Sequence, residues 1–168
     1  MPRAINIGID IGKKGGICIQ EGGKLHTMVM PMIKSEVDYH ALYNILEQAK
    51  DKDCHVVFEK LGVIFGTSKA TALSMGNQAG SVRAFCIALR LPFSEIPPKV
   101  WQKDMLLGIT EISRPSSTGK TTVRDTKSMA LLACKNLFPT TPLSIGDNKP
   151  HDGICDAILM SEFSRKHY

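Results

Sequence analysis

Hydrophobic positions in the first thirty residues predict three strands joined by short turns. Residues 4–11 (AINIGIDI) are rich in isoleucine, which is typical of a buried strand. A glycine-rich turn at 12–16 leads to a second strand, GICIQ, and another turn at 21–23 leads to a third, at 24–31. Turns this short indicate an antiparallel meander.

Apolar residues at helical spacing predict a crossover helix after this meander. In residues 36–49 they recur every three or four positions, and Ser35 is a suitable N-cap. The segment HVVFE at 55–59 then reads as a short strand. Because a helix between two strands usually joins them in parallel, we expect this strand to run parallel to the first.

A long helix is predicted over residues 70–91, and it contains Gly76 and Gly80. A glycine inside a helix costs about 1 kcal/mol relative to alanine. We therefore expect close packing of this helix against another element. Packing within the chain and packing against a second copy both fit the pattern.

The remaining segments predict one strand, three helices and a loop. Residues 93–96 form the strand, and helices are expected at 99–107, 126–138 and 152–164. Residues 108–124 have little periodicity and predict a mobile loop. This order of elements is expected for an α/β fold with a mixed five-stranded sheet flanked by helices.

Length and charge limit the class of protein. A chain of 168 residues, 43% hydrophobic, fits a single domain over 1–168. Its net charge of +5 favours an anionic partner, although a merely soluble basic protein fits as well. No apolar stretch approaches the roughly 20 residues of a membrane helix, so we expect a cytoplasmic or DNA-associated intracellular protein without a membrane partner.

The cysteines are odd in number and have no C-x-x-C pair, which argues against zinc binding or thiol redox chemistry. We expect reduced core residues at Cys18, Cys54, Cys86, Cys134 and Cys155.

Acidic residues occur where a hydrophobic core would exclude them. Asp10 lies inside the first strand, Glu59 ends the HVVFE strand, and Asp152 and Asp156 are four residues apart on one face of the last helix. A buried charge costs several kcal/mol unless it is paired or bound to a metal. If the four meet, divalent cations are needed to offset their repulsion, and oxygen ligands favour Mg²⁺ or Mn²⁺ over zinc.

Each acid also has an ordinary explanation. Asp152 could cap the last helix, and Asp156 could be a surface residue. Asp10 is the hardest to explain in this way, because aspartate is disfavoured in strand interiors.

The segments around these acids match one family in the right order. INIGIDIG contains Asp10, HVVFEKL contains Glu59, and KPHDGICDAILMSEFSRK contains Asp152 and Asp156 in a D-G-x-x-D-A pattern. Together with residues 74–106, they resemble the RuvC-like Holliday-junction resolvases of the RNase H-like superfamily, especially the compact phage-type subgroup. The resemblance covers nearly the whole chain.

This resemblance implies a Mg²⁺-dependent crossover junction endodeoxyribonuclease of DNA recombination and repair. It implies two ions per active site, with Asp10 bridging both and Glu59, Asp152 and Asp156 completing their shells. Lys127 falls near the place where compact members have a lysine that acts on the scissile phosphate, and a solvated lysine is the alternative. A homodimer is expected because a four-way junction has two-fold symmetry.

The chain departs from the family in two places. Its last two acids are four residues apart, where bacterial members commonly have three. The aromatic wedge that bacterial members place three residues beyond the glutamate is Gly62 here, and Phe65 is the candidate substitute.

Basic residues supply candidate DNA contacts, some of which are expected to be plain surface charge. The candidates are Lys13, Lys14, Lys60, Lys69, Arg83, Lys99, Lys103, Arg114, Lys120 and Arg124.

Other functions fit the sequence less well. The string STGKTT resembles a phosphate-binding loop, but Arg114 occupies the position of the required leading glycine. A sugar-kinase or actin-like protein needs two lobes, and the chain has room for one. Another RNase H-like nuclease, of RNA–DNA hybrid or transposase type, stays open, as does an inactive junction-binding protein, although all four acids are present.

Overall fold

The computed structural model describes residues 3–62, 68–144, 146 and 149–168. Its strands are β1 Ile5–Asp10, β2 Gly16–Glu21, β3 Lys24–Val29, β4 Met32–Ile33, β5 Glu36–Val37, β6 Cys54–Glu59, β7 Phe93–Ile96, β8 Ser113–Pro115 and β9 Thr122–Arg124. Its helices are α1 Tyr39–Glu47, α2 Lys69–Leu89, α3 Pro98–Met105, α4 Thr126–Leu137 and α5 Asp152–His167.

Five strands form one mixed sheet in the order β3-β2-β1-β6-β7. The meander β1-β2-β3 is antiparallel, whereas β6 runs parallel to both β1 and β7. The predicted five-stranded mixed sheet and the parallel crossover are confirmed.

Alternating side chains of the sheet enter two hydrophobic clusters, one on each face. On one face Ile7 and Phe58 pack with α1 and α2. On the other face Cys18 and Val57 pack with α3, α4 and α5. The period of two along each strand therefore covers both faces with helices.

Helix α5 lies closest to β1, and Gly8 makes this possible. A Cβ atom at Gly8 would collide with the backbone of Ala157 and Ser161. The absent side chain lets the middle of the last helix rest directly on the central strand.

The start of the first helix was predicted wrongly. Asp38, not Ser35, is the N-cap, and its side chain accepts a hydrogen bond from the Ala41 N–H at 3.0 Å. The preceding residues form the short hairpin β4–β5, whose turn contains Lys34 at a φ of 56°. The hairpin uses residues that the helical spacing had assigned to α1.

Residues 108–124 also differ from the irregular loop predicted for them. Strands β8 and β9 pair in register from Ser113 with Arg124 to Pro115 with Thr122. All six strand residues are exposed. A hairpin without a buried face has no hydrophobic alternation, which is why the pattern did not reveal it.

Close packing within the chain does not explain the glycines of α2. Apart from the backbone of α2 itself, a Cβ atom at Gly76 or Gly80 would meet no atom of the described residues within 4 Å. The expectation that these glycines allow another element of the same chain to pack closely was wrong.

All five cysteines are free and buried, as predicted. None of the helices in the described ranges is long and apolar enough to span a membrane.

Candidate active site

Asp10 and Glu59 end two adjacent parallel strands. The register pairs Ile9 of β1 with Phe58 of β6, so the two acids follow the last paired residues side by side. Both are partly buried. The carboxyl ends of parallel strands are where α/β sheets open to ligands.

The first turn of α5 brings the other two acids to the same edge. His151 is the N-cap, and its Nδ1 accepts from the Ile154 N–H at 3.3 Å, so Asp152 does not cap the helix. A Cβ atom at Gly153 would lie 2.5 Å from the Lys14 carbonyl oxygen. This glycine therefore allows the helix to approach the turn after β1.

The pKa values show that the four acids act on one another. Burial, followed by the charges of Asp156, Glu59 and Asp152, raises the pKa of Asp10 to about 8 against the opposing effect of Lys127. Burial, followed by the charges of Glu59 and Asp152, raises the pKa of Asp156 to about 7. An Asp156 this buried is not the ordinary surface residue that the sequence left open. The site carries more negative charge than its surroundings compensate.

Two other side chains hold members of this cluster. Trp101 Nε1 donates to Glu59 Oε1 at 3.0 Å. Burial raises the pKa of Glu59, and this hydrogen bond opposes the rise. Lys127 Nζ donates to Asp152 Oδ2 at 2.6 Å, and both of these side chains are exposed. The contact with Asp152 raises the pKa of Lys127.

The acids are electrostatically coupled, but they do not form a compact ligand shell. Within residues 3–62, 68–144, 146 and 149–168, no group of three or more Asp, Glu, His or Cys side chains is close enough to be a preformed metal site. The donor set nevertheless fits a hard cation: all its atoms are carboxylate oxygens, and raised pKa values are expected where countercharge is missing.

Three of the basic candidates are engaged with acids. Arg83 forms two hydrogen bonds with Glu95, at 2.6 and 2.8 Å. Lys13 lies 3.3 Å from Glu36, and Arg114 lies 3.9 Å from Asp125. The structure places the other candidates on its exposed surface, at Lys14, Lys60, Lys69, Lys99, Lys103, Lys120 and Arg124.

Some candidates are neighbours of the acids along the chain, and others belong to the β8–β9 hairpin. Lys13 and Lys14 lie in the turn after Asp10, and Lys60 directly follows Glu59. Lys120 and Arg124 belong to the β8–β9 hairpin. Phe65, the candidate wedge, lies outside the described residues.

Solved structures of one protein share this fold. A Thermus thermophilus RuvC structure superposes with a TM-score of 0.58 at 17% identity, covering 94% of this chain and 90% of that chain. The fold is that of RuvC. A second structure, T. thermophilus RuvC in complex with a Holliday junction substrate, matches with the same TM-score and coverage at 15% identity. No family model matches the sequence, and neither does any curated protein.

The comparison confirms the predicted RNase H-like α/β fold. Trp101 was not among the residues predicted for the site, although a signal was present. A buried indole N–H needs an acceptor, and the helix that carries Trp101 directly follows the strand beside β6.

Proposed function

We propose that this protein is a metal-dependent endonuclease that resolves Holliday junctions and related branched DNA inside the cell. One observation carries the proposal. Four mutually repelling carboxylates lie at one end of a sheet with the RuvC fold, and burial and crowding raise the pKa of Asp10 to about 8. Such an arrangement is costly for a protein that has no cation to hold there.

The four acids are suited to bind Mg²⁺, with Mn²⁺ as a substitute, and we infer two ions per site. Asp10 is the central ligand, because the other three carboxylates all act on it. Glu59, Asp152 and Asp156 supply the remaining oxygens. Two ions in such a site would activate water and stabilise the leaving oxygen of a phosphodiester.

Lys127 is the cation that the structure couples to this site. Its ammonium group pairs with Asp152 and acts on both Asp10 and Asp156. Because the side chain is exposed, it can also reach a phosphate that enters the site. We infer that Lys127 helps to hold the scissile phosphate.

The basic residues at the same edge would bind the flanking phosphates. Lys13, Lys14 and Lys60 are next to the acids along the chain and at the same end of the sheet. Affinity for DNA should fall steeply as salt rises, because each neutralised phosphate releases counterions.

We also propose that the protein forms a homodimer, with helix α2 of each copy at the interface. Leu73, Gly76, Gly80, Ala84 and Ile87 lie within one stripe of the helix, and the side chains of Leu73 and Ile87 are 66% and 63% exposed. Small residues flanked by apolar ones allow two helices to approach closely. The open space over both glycines leaves room for a partner helix.

The dimer surface is tested with Gly80→Glu, measured by sedimentation. A glutamate favours the helix over glycine by somewhat under 1 kcal/mol, so the monomer should not be destabilised. We expect the dimer to dissociate at concentrations where the wild type remains dimeric. A variant that dimerises like the wild type would exclude this stripe as the interface.

The activity is tested by comparing four substrates in Mg²⁺: a four-way junction, a replication fork, a flap and an RNA–DNA hybrid. We expect the junction to be cut fastest, by paired cuts in opposing strands. Preferred cutting of the hybrid would favour the RNase H alternative. Junction binding without any cutting would favour an inactive binding protein.

A further inference from the structure

We propose that Trp101 is a positioning residue for the Glu59 carboxylate, and that its indole N–H strengthens divalent-metal binding at the acidic site. The inference rests on the proposed function, because it concerns the same acids. Its basis is a direct contact: the indole nitrogen donates to Glu59 Oε1 at 3.0 Å, from a side chain that is 1% exposed.

The fold leaves this indole little freedom. Helix α3 begins at Pro98, directly after β7, and β7 is the parallel neighbour of the strand that ends at Glu59. The ring of Trp101 packs in the same hydrophobic cluster as Met105, one turn further along the helix. The donor therefore reaches the carboxylate from a fixed position.

A fixed donor has two effects on the carboxylate. The terminal torsion of a glutamate is broad, and a hydrogen bond to one oxygen restricts it. The bond also favours the charged carboxylate, because a donated N–H stabilises the ionised form. Among the described residues, no side chain donates a hydrogen bond to the other oxygen, Oε2, so it is available to a cation. Donors that orient a metal ligand typically change metal affinity by about 10- to 100-fold.

The first test removes the N–H and keeps an aromatic ring. Mg²⁺ affinity of Trp101→Phe is measured calorimetrically without DNA, beside Met105→Leu as a packing control from the same helix and cluster. We expect affinity to fall about 10-fold in Trp101→Phe and to stay within about twofold of the wild type in the control. Equal affinities would overturn the positioning role, whereas a wild type that binds no Mg²⁺ would overturn the proposed function as well.

The second test asks whether the effect passes through Glu59. Trp101→Phe is added to Glu59→Gln, and the Mg²⁺ affinities of the two single variants and the double variant are compared. If the indole acts on this carboxylate, the double variant binds no more weakly than Glu59→Gln. Full additivity would mean that Trp101 acts through general packing, which contradicts the proposal.

The third test needs no change at position 101. Trp101 is the only tryptophan of the chain, so its fluorescence reports directly on the hydrogen bond. We expect a saturable change in emission as Mg²⁺ is added to the wild type, and none in Glu59→Gln. Unchanged emission at saturating Mg²⁺ would overturn the proposal, even if Trp101→Phe fails to fold.

Discussion

Helix α5 places polar groups against the sheet at both of its ends. The near end carries Asp152 and Asp156, and the far end carries Glu162 and Ser164. The polar groups at the two ends differ in how well they are compensated.

At the far end Ser164 Oγ donates to Asn6 Oδ1 at 2.9 Å, and Glu162 is held by Arg165 and Gln20. Gln20 keeps one oxygen, Oε1, without a partner among the described residues. These groups nearly all find complementary partners, as buried polar groups in a stable core do.

At the near end, four electrostatically coupled acids have far less compensation. Lys127 pairs with Asp152, and Trp101 donates to Glu59, while the pKa of Asp10 rises to about 8. The paired polar groups at the far end stabilise the fold, whereas the poorly compensated acids at the near end destabilise it. A site kept at a cost is where function is expected.

Among the variants that compare the near end with the far end, Asp10→Asn should have the largest effect. Loss of the proposed central ligand should lower cleavage of a four-way junction at least about 10³-fold, while junction binding is kept, since the neutral residue removes no phosphate contact. Cleavage and gel-shift assays measure both. Glu162→Gln is the matched control at the far end and should cut at near wild-type rate once folded. Undiminished cutting by Asp10→Asn would refute the assignment.

Mg²⁺ should raise the melting temperature of the protein only by binding to the acids at the near end of α5. Mg²⁺ at 100 times its dissociation constant adds about 2.7 kcal/mol to the folded state, which corresponds to a rise in melting temperature of roughly 5–10 °C for a chain of this size. In metal-free buffer Asp10→Asn should melt above the wild type, because it removes a repelled charge, and Mg²⁺ should shift it little. An equal Mg²⁺ shift in both proteins would contradict this explanation.

At the far end, Ser164→Ala should lower stability without affecting metal binding. The change removes the donor to buried Asn6, and an unpaired buried acceptor costs about 1–3 kcal/mol. Chemical denaturation measures the loss, and calorimetry with Mg²⁺ should give the wild-type affinity. A large change in metal affinity would show that the two ends are coupled through α5.

The smallest effect concerns pH at the far end. Burial, and to a lesser extent Arg3, lowers the pKa of His55 to about 4, where its ring contacts Ser94 and stacks on Tyr168. The unfolded chain therefore takes up this proton first, and stability is lost as pH falls from about 6.5 towards 4, by roughly 1–2 kcal/mol. His55→Gln should lack this part of the acid dependence in denaturation curves. Identical pH profiles would contradict the assignment.

The sequence predicted those parts of the fold that bury a hydrophobic face. Strand β1 has apolar residues at alternate positions, and both this strand and the long helix α2 were found. The hairpins β4–β5 and β8–β9 are two or three residues per strand and largely exposed, so no pattern of burial marks them. The N-cap at Asp38 was missed because Ser35 has the same local chemistry.

Asp10 was recognisable because it lies between two isoleucines, and Asp152 and Asp156 were recognisable from the D-G-x-x-D-A pattern. The long-range side-chain contacts were not recognisable from the sequence. The contact of Trp101 with Glu59 depends on how α3 packs across the sheet, and the pair of Arg83 with Glu95 depends on how α2 lies over β7. Contacts between distant segments follow from the fold and not from local spacing.

The most direct measurement is anomalous diffraction from crystals soaked in Mn²⁺. The account predicts two anomalous peaks between the carboxylates of Asp10, Glu59, Asp152 and Asp156, and none near this position in crystals of Asp10→Asn. Crystals of the wild type that take up Mn²⁺ only elsewhere, or not at all, would contradict it.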